Sequence, residues 1–273
     1  MQTNFSRSEQ KYLITNHQSN RLTAGFAGHM EPDSFGSYLV QNLYYDTENW
    51  DIIRTSMEKP YYKEKMRMRR YVTPESSSGT FLELKKKFAG IVYKRRLPLN
   101  PSTDTIPDIH EELRNNESQI AKELAYHIRQ TEVKEKIYIS YQRKAFAGLH
   151  DEGLRLTIDT DIRSRLDNLG FAHPSEGIPL NKKIILLEIK TPTAIPLWLV
   201  RLLNNNGIVT ASFSKYAACF TEYHNKLPQG QSPGEQSEPP QRSEGSGGGI
   251  NSHHSGGVVG AAPLLKMKGL SQC

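Results

Sequence analysis

The chain has 273 residues, 36% of them hydrophobic and 23% charged, with a formal net charge of +6. This is enough to bury a sizeable core in one large or two small domains, and the excess of cations favours an anionic partner: nucleic acid, a membrane surface or a phosphorylated small molecule. No apolar run approaches the roughly 18 residues that cross a bilayer, and Met1-Gln2-Thr3-Asn4 opens no signal pattern, so the expectation is a soluble, cytoplasmic protein.

Phe5 to Ile14 alternates so that Arg7, Glu9 and Lys11 share one face, which predicts a first strand. His17 to His29 reads as helix or loop, and Leu39 to Tyr45 as a buried strand rich in apolar and aromatic residues, ending at Asp46-Thr47. Between Tyr62 and Leu97 the period of two is pronounced: Lys65, Arg67 and Arg69 lie opposite Met66 and Met68, and Glu83, Lys85 and Lys87 lie opposite Leu82 and Leu84. Asp108 to Gln130 has helical spacing through Ile109, Leu113, Ile120, Leu124 and Ile128, with Glu111 and Glu112 near its start. Lys134 to Phe146, Leu154 to Ile162 and Lys183 to Lys190 return to strand. Pro196 to Leu203 predicts a short helix that stops in Asn204-Asn205-Asn206-Gly207, and Ser214 is placed to cap a last helix running to about Lys226.

Past Leu227 the composition changes to Gly, Ser, Pro and Gln, too polar to offset its ordering entropy, so 227–273 is expected to be a disordered tail and 1–226 the folded domain. Arg242, Lys266 and Lys268 balance Glu235, Glu238 and Glu244 in the tail, so the whole +6 belongs to the folded part. Cys219 and Cys273 have neither metal-ligand spacing nor the density of a disulfide framework. The His253-His254 pair, in its Gly/Ser setting, is not read as a site.

An alternating strand usually turns its charged face to water. Here the pattern recurs: Arg155, Thr157 and Asp159 oppose Leu154, Leu156 and Ile158, and Glu188 and Lys190 oppose Ile185, Leu187 and Ile189. Every long strand candidate except Leu39 to Tyr45 carries a cation on a face that also holds Glu, Asp or Thr. A sheet of six or more strands tends to curl or close. With its charged faces inward it would enclose a cationic tunnel that only a polyanion stabilises.

Eight motifs in order carry a resemblance: Arg7-Ser8-Glu9-Gln10-Lys11-Tyr12, Lys65-Met66-Arg67-Met68-Arg69, Glu83-Leu84-Lys85, Lys94-Arg95-Arg96, Tyr141-Gln142-Arg143, Leu154-Arg155-Leu156-Thr157-Ile158-Asp159, Leu187-Glu188-Ile189-Lys190 and Ser212-Phe213-Ser214-Lys215-Tyr216. Over roughly residues 4–226 the chain resembles the catalytic domain of the vacuolar transporter chaperone (VTC) family, within the triphosphate tunnel metalloenzyme superfamily. That resemblance implies an α+β fold, a closed eight-stranded antiparallel β tunnel barrel with flanking helices. It also implies binding of ATP, triphosphate and polyphosphate with Mn²⁺ or Mg²⁺, and elongation of polyphosphate from ATP.

Position by position, the resemblance implies phosphate contacts from Lys11, Arg67, Arg69, Lys85, Lys94, Arg143, Arg155, Lys190 and Lys215, in keeping with the bidentate grip of guanidinium and the point charge of ammonium. Arg67, Arg69, Lys94, Arg143, Arg155 and Glu188 are the expected catalytic set. Lys11, Lys85, Lys190, Ser214 and Lys215 are expected to bind substrate. Glu188 looks like the metal ligand, with Glu9 and Glu83 beside it, since hard divalent cations take carboxylate oxygens and the substrate's own phosphates. Ser214 at a helix start can donate to an anion. Lys87, Arg96 and Asp159 read equally well as inter-strand ion pairs. Counted from its own strand, Arg143 falls on the face of Ile137 and Ile139, and an inward role would need a bulge.

Nothing in the chain resembles the membrane helices or inositol-phosphate sensing domain of the fungal versions, which leaves room for a separate membrane protein partner. There is no Gly-x-x-x-x-Gly-Lys-Ser/Thr loop, which argues against a P-loop nucleotidase. No aromatics interleave the basic strands as a single-stranded nucleic-acid binder would require. Three readings stay open: a polyphosphate polymerase, a triphosphatase or polyphosphatase of the same fold, and a non-catalytic polyphosphate-binding module. Oligomeric state has no sequence signal.

Overall fold

The computed structural model describes residues 8–73, 77–89, 91–180 and 184–225. They belong to the compact unit Met1–Gln236; the second unit, Ser237–Cys273, lies outside the described residues, as does the whole tail expected from 227 onward. Arg7 and Lys183, placed in strands by their alternation, fall outside them as well.

The elements are β1 (Ser8–Ile14), α1 (Asn16–Ala24), β2 (Met30–Asp46), α2 (Asp51–Met57), β3 (Tyr62–Val72), β4 (Ser77–Phe88), β5 (Ile91–Leu99), α3 (Ile106–Arg114), α4 (Gln119–Thr131), β6 (Lys134–Gly148), β7 (Arg155–Arg165), β8 (Ile178–Pro179), β9 (Ile185–Thr191), α5 (Leu197–Asn205) and α6 (Lys215–His224). Local chemistry explains several boundaries. Thr15 and Gln18 form a capping box that starts α1. The single helix expected over 108–130 is two, because Ser118 accepts a hydrogen bond from Ala121 N and starts a new helix after α3 ends at Arg114. The short α2 had no sequence signal. Its start is held by Asp46, whose carboxylate accepts hydrogen bonds from Ile52 N at 2.9 Å and Ile53 N at 3.0 Å.

All strand pairs are antiparallel, in the order β1-β9-β7-β6-β2-β3-β4-β5 with β8 beside β7. The expected closed eight-stranded barrel is therefore incorrect: the described sheet has nine strands and is not closed, since β1 and β5 do not pair. A segment some two hundred residues away occupies the edge that closure would need. Tyr12 of β1 bridges Thr210, and Lys11 O accepts a hydrogen bond from Ala211 N at 2.7 Å. Those contacts take up the middle of the edge along which β1 would have to pair with β5. The sheet still curves: Lys11 of β1 donates to Phe213 O at 3.2 Å and Lys65 of β3 to the adjacent Ser214 hydroxyl at 3.0 Å, so the two wings face each other.

Three apolar layers hold this curve. Outside β1, β9 and β7, α1 and α5 bury Leu22, Leu199 and Leu203 against Leu156, Leu187 and Ile189. Outside β2 to β5, α3 and α4 bury Ile109, Leu124 and Ile128 against Met66, Met68, Leu82 and Leu84. Each such side chain stabilises the fold by about 1.5–3 kcal/mol. The third layer lies on the inner face, where Tyr216, Cys219 and Phe220 of α6 pack on Val40, Tyr44, Ile137, Ile139 and Tyr141. This layer removes the difficulty with Arg143: Ile137 and Ile139 also point inward, onto α6, so β6 needs no bulge of its own. The irregularity is on β7, where Asp161 (φ 48°) and Ile162 together oppose Tyr141.

Candidate functional site

With Met66, Met68, Leu82 and Leu84 fixed outward, the alternation turns Lys65, Arg67, Arg69, Glu83 and Lys85 inward, and the same rule turns Glu9, Lys11, Asp159, Glu188 and Lys190 inward on the other wing. The inner face holds two carboxylate nodes. The first is Glu83, only 2% exposed. Arg67 approaches its Oε2 through Nε at 2.8 Å and Nη2 at 2.7 Å, Lys94 Nζ lies 2.7 Å from Oε1, and Arg96 Nε lies 3.4 Å from Oε1. Arg69 Nε stands 4.0 Å from Oε2 and donates instead to Asn42 Oδ1 at 2.8 Å. Burial opposes ionisation of Glu83, but Arg67, Arg69 and Lys94 outweigh it and hold the carboxyl well below its ordinary pKa.

The second node joins Asp159 and Glu188. Arg143 grips Asp159 bidentately at 2.6 and 2.8 Å, and Lys215 Nζ lies 2.6 Å from Asp159 Oδ2. Around Glu188 stand Lys11 and Arg143 at 3.5 Å, Lys215 at 3.8 Å and Lys190 at 3.9 Å. Burial again opposes ionisation, and Lys215, Lys11 and Lys190 more than offset it, so Glu188 is held well below the usual carboxylate range. Glu9 sits 3.4 Å from the same Lys11 ammonium. Lys11 thus stands between two carboxylates, Glu9 two residues away on its own strand and Glu188 opposite it on β9.

The structure therefore brings together Lys11, Glu9, Arg143, Glu188, Lys190 and Lys215 at one node and Arg67, Arg69, Glu83 and Lys94 at the other, with Lys85 on the wall between them. Arg155 lies opposite Lys190 in register on the same face and stays exposed. Ser214 caps α6, with its hydroxyl accepting from Ala217 N at 3.4 Å and Lys65 Nζ at 3.0 Å. Arg96 and Asp159 do form inter-strand ion pairs, with Glu83 and Arg143 respectively, and these are part of the site itself. Lys87 lines an open hollow of about 600 Å³ with Lys59, Lys63 and Ser212 at the end beyond Lys65.

Tyr141 and Lys65 belong to the site although neither had a separate role in the sequence reading. The Tyr141 hydroxyl accepts from Arg69 Nη2 at 3.4 Å, and Lys215 lies over its ring at 4.4 Å. Burial works against its ionisation, yet Arg143, Arg69 and Lys215 hold the hydroxyl below its ordinary pKa. The position of Lys65, two residues before Arg67 on one face, was signal enough to find it. Loss of water, with Lys11, Lys63 and Lys85 nearby, lowers its pKa to about 8. A bound polyanion restores the charge, so between pH 8 and the unperturbed 10.5 binding should take up a proton and weaken as pH rises. Calorimetry of inorganic triphosphate binding at pH 8.5, in two buffers of different ionisation enthalpy, should show that uptake, and Lys65→Gln should remove it. Equal heats in wild type would refute this assignment.

Among the described residues no group of three or more His, Cys, Asp or Glu is placed to hold a metal ion by itself. Mg²⁺ and Mn²⁺ do not need one, because they keep several waters and bind through one or two carboxylates plus substrate phosphates. Glu188 with Glu9 fits that donor set. Glu83 does not, since Arg67, Lys94 and Arg96 already surround its oxygens. Cations outnumber carboxylates across the whole face, a charge balance that suits an anionic ligand.

Among solved structures, the PH1819 protein of Pyrococcus horikoshii OT3 is similar over 79% of this chain and 98% of its own, at 13% identity and a TM-score of 0.45. A Vibrio parahaemolyticus protein provisionally described as an adenylate cyclase is similar over 78% and 97%, at 12% identity and a TM-score of 0.44. No curated protein matches the chain. The family model of the VTC domain matches residues 6–224. That span takes in both carboxylate nodes and each inward-facing cation described above, and the chain belongs to the VTC domain family.

Proposed function

We propose that this chain is a polyphosphate polymerase that takes the γ-phosphate of ATP. A terminal phosphate oxygen of the growing chain attacks the γ-phosphorus, the new P–O bond forms as the bond to the β–γ bridging oxygen breaks, and ADP leaves. The observation that carries this reading is the inner face itself: a cationic cradle with one carboxylate node neutralised from within and a second whose two carboxylates suit a divalent cation. Phosphoryl transfer asks little covalent chemistry of a protein and depends on alignment and on neutralising charge. Arg67 and Arg69, held at fixed angles by Glu83 and Asn42, are set to orient the transferring phosphate. Lys94, Arg143 and Lys215 neutralise its oxygens, with Lys11, Lys85, Arg155, Lys190 and Ser214 along the chain. Glu188 and Glu9 would hold Mg²⁺ or Mn²⁺, which supplies charge neutralisation on the phosphates.

No described helix is long and apolar enough to cross a membrane. Incubation of the purified chain with ATP and Mn²⁺ should produce long polyphosphate, visible as a ladder on a stained gel. Free phosphate alone would identify a hydrolase, and binding without turnover a binding module. Either result would overturn the polymerase.

A further inference from the structure

Beyond Arg69 the inner face changes character. Tyr71 lies two residues further along β3, about 7 Å away at the rise of a strand, and is the middle of a row of half-buried rings. Tyr38 of β2 meets it edge-to-face at 6.0 Å, and Phe81 of β4 at 6.1 Å. The Arg96 guanidinium carbon lies over the Phe81 ring, 3.7 Å from its centroid, and Arg96 also reaches the Tyr71 hydroxyl at 3.4 Å, where Arg69 Nη1 donates as well. The opposite end of the same face, beyond Lys65, has lysines lining an open hollow.

A polyphosphate chain has no use for such a row, because aromatic faces carry negative charge density and repel anions. A planar, neutral, polarisable group gains from it, on the rings and on the guanidinium over Phe81. The only spacer needed between that group and phosphates held by Arg67 and Arg69 is one of ribose size. We propose that this end of the cradle is a nucleobase platform, formed by Tyr38, Tyr71 and Arg96 on Phe81, that makes the site select a nucleoside triphosphate over inorganic triphosphate and orients it with its phosphates running toward Lys65. The inference rests on the triphosphate-binding reading of the same cradle and adds which end of the substrate lies where.

The test is calorimetric titration of the full chain with ATP and with inorganic triphosphate, in EDTA so that no turnover intrudes. In Tyr71→Leu, ATP affinity should fall about tenfold, the loss of one stacking contact, while inorganic triphosphate affinity changes less than twofold; the second ligand also reports that the variant is folded. Tyr71→Phe keeps the ring and loses only the hydroxyl, so it should keep the ATP affinity of the wild type. Parallel loss for both ligands in Tyr71→Leu, or no loss for either, would overturn the platform and leave the phosphate cradle standing. Absence of inorganic triphosphate binding in the wild type would overturn the cradle reading and the platform with it.

Discussion

Inorganic triphosphate at a hundredfold excess over its Kd should raise the melting temperature of the wild-type chain by about 5–10 °C, and the Arg67→Ala/Arg69→Ala double variant should lose most of that gain. The size follows from linkage: a ligand that binds only the folded state stabilises it by about 2.7 kcal/mol at that excess, and 1 kcal/mol moves the melting point of a domain this large by about 2–4 °C. The empty variant should also melt lower than the empty wild type. Arg67 pairs at 2.7 Å with a carboxylate that is 2% exposed, and removing one member of a buried ion pair is costly, although Lys94 and Arg96 remain to limit the damage. Simple relief of repulsion among the cations predicts the opposite sign for the empty protein, so one melting curve separates the two effects. Arg69→Ala alone is the cleaner probe of binding, since Arg69 stands 4.0 Å from Glu83 and leaves that pair intact. A triphosphate shift that ordinary salt erases, and that is equal in wild type and double variant, would mean a solvated face with no cradle.

Much of the cradle was legible because a period of two is a local property. Once Met66, Met68, Leu82 and Leu84 are read as core, Arg67, Arg69 and Lys85 have only the other face to occupy, and β1, β7 and β9 repeat the reasoning for Lys11, Asp159 and Glu188. What was hidden depends on partners remote in sequence. Whether the sheet closes is decided by which segment reaches the outer edge of β1, and Thr210–Ala211 reach it. The inner face of β2 bears Val40, Asn42 and Tyr44, which look like an ordinary buried strand until Asn42 is seen aiming Arg69 and Tyr44 stacked on Tyr216. Tyr38, Tyr71 and Phe81 come from three strands, so no stretch of sequence shows them as a row. Glu83 and Glu188 have the same side chain and a similar alternating context. Their difference lies wholly in their neighbours, because the first has an arginine in direct contact and the second is ringed at 3.5–3.9 Å.

That difference sets the expected behaviour of Glu188→Gln. The amide keeps the size of the side chain and removes the one charge that Lys11, Lys190, Lys215 and Arg143 share at this distance. The metal-free cradle becomes more cationic, so inorganic triphosphate in EDTA should bind at least as tightly as to wild type. Turnover of ATP with Mn²⁺ should move the other way and fall by about 10²–10³, the usual cost of deleting one preorganised electrostatic contact at a reacting group. Raising Mn²⁺ should recover part of the loss, because Glu9 remains near the same Lys11. Glu83→Gln is the control: it frees Arg67 and Lys94 and should lower stability, yet its Mn²⁺ dependence should match that of wild type. Opposite movement of binding and turnover in Glu188→Gln cannot come from a merely structural carboxylate, whose loss would weaken both together with the melting temperature. Full activity of Glu188→Gln at limiting Mn²⁺ would remove Glu188 from the metal site, and Glu9 and Glu188 would then be no more than a support for Lys11.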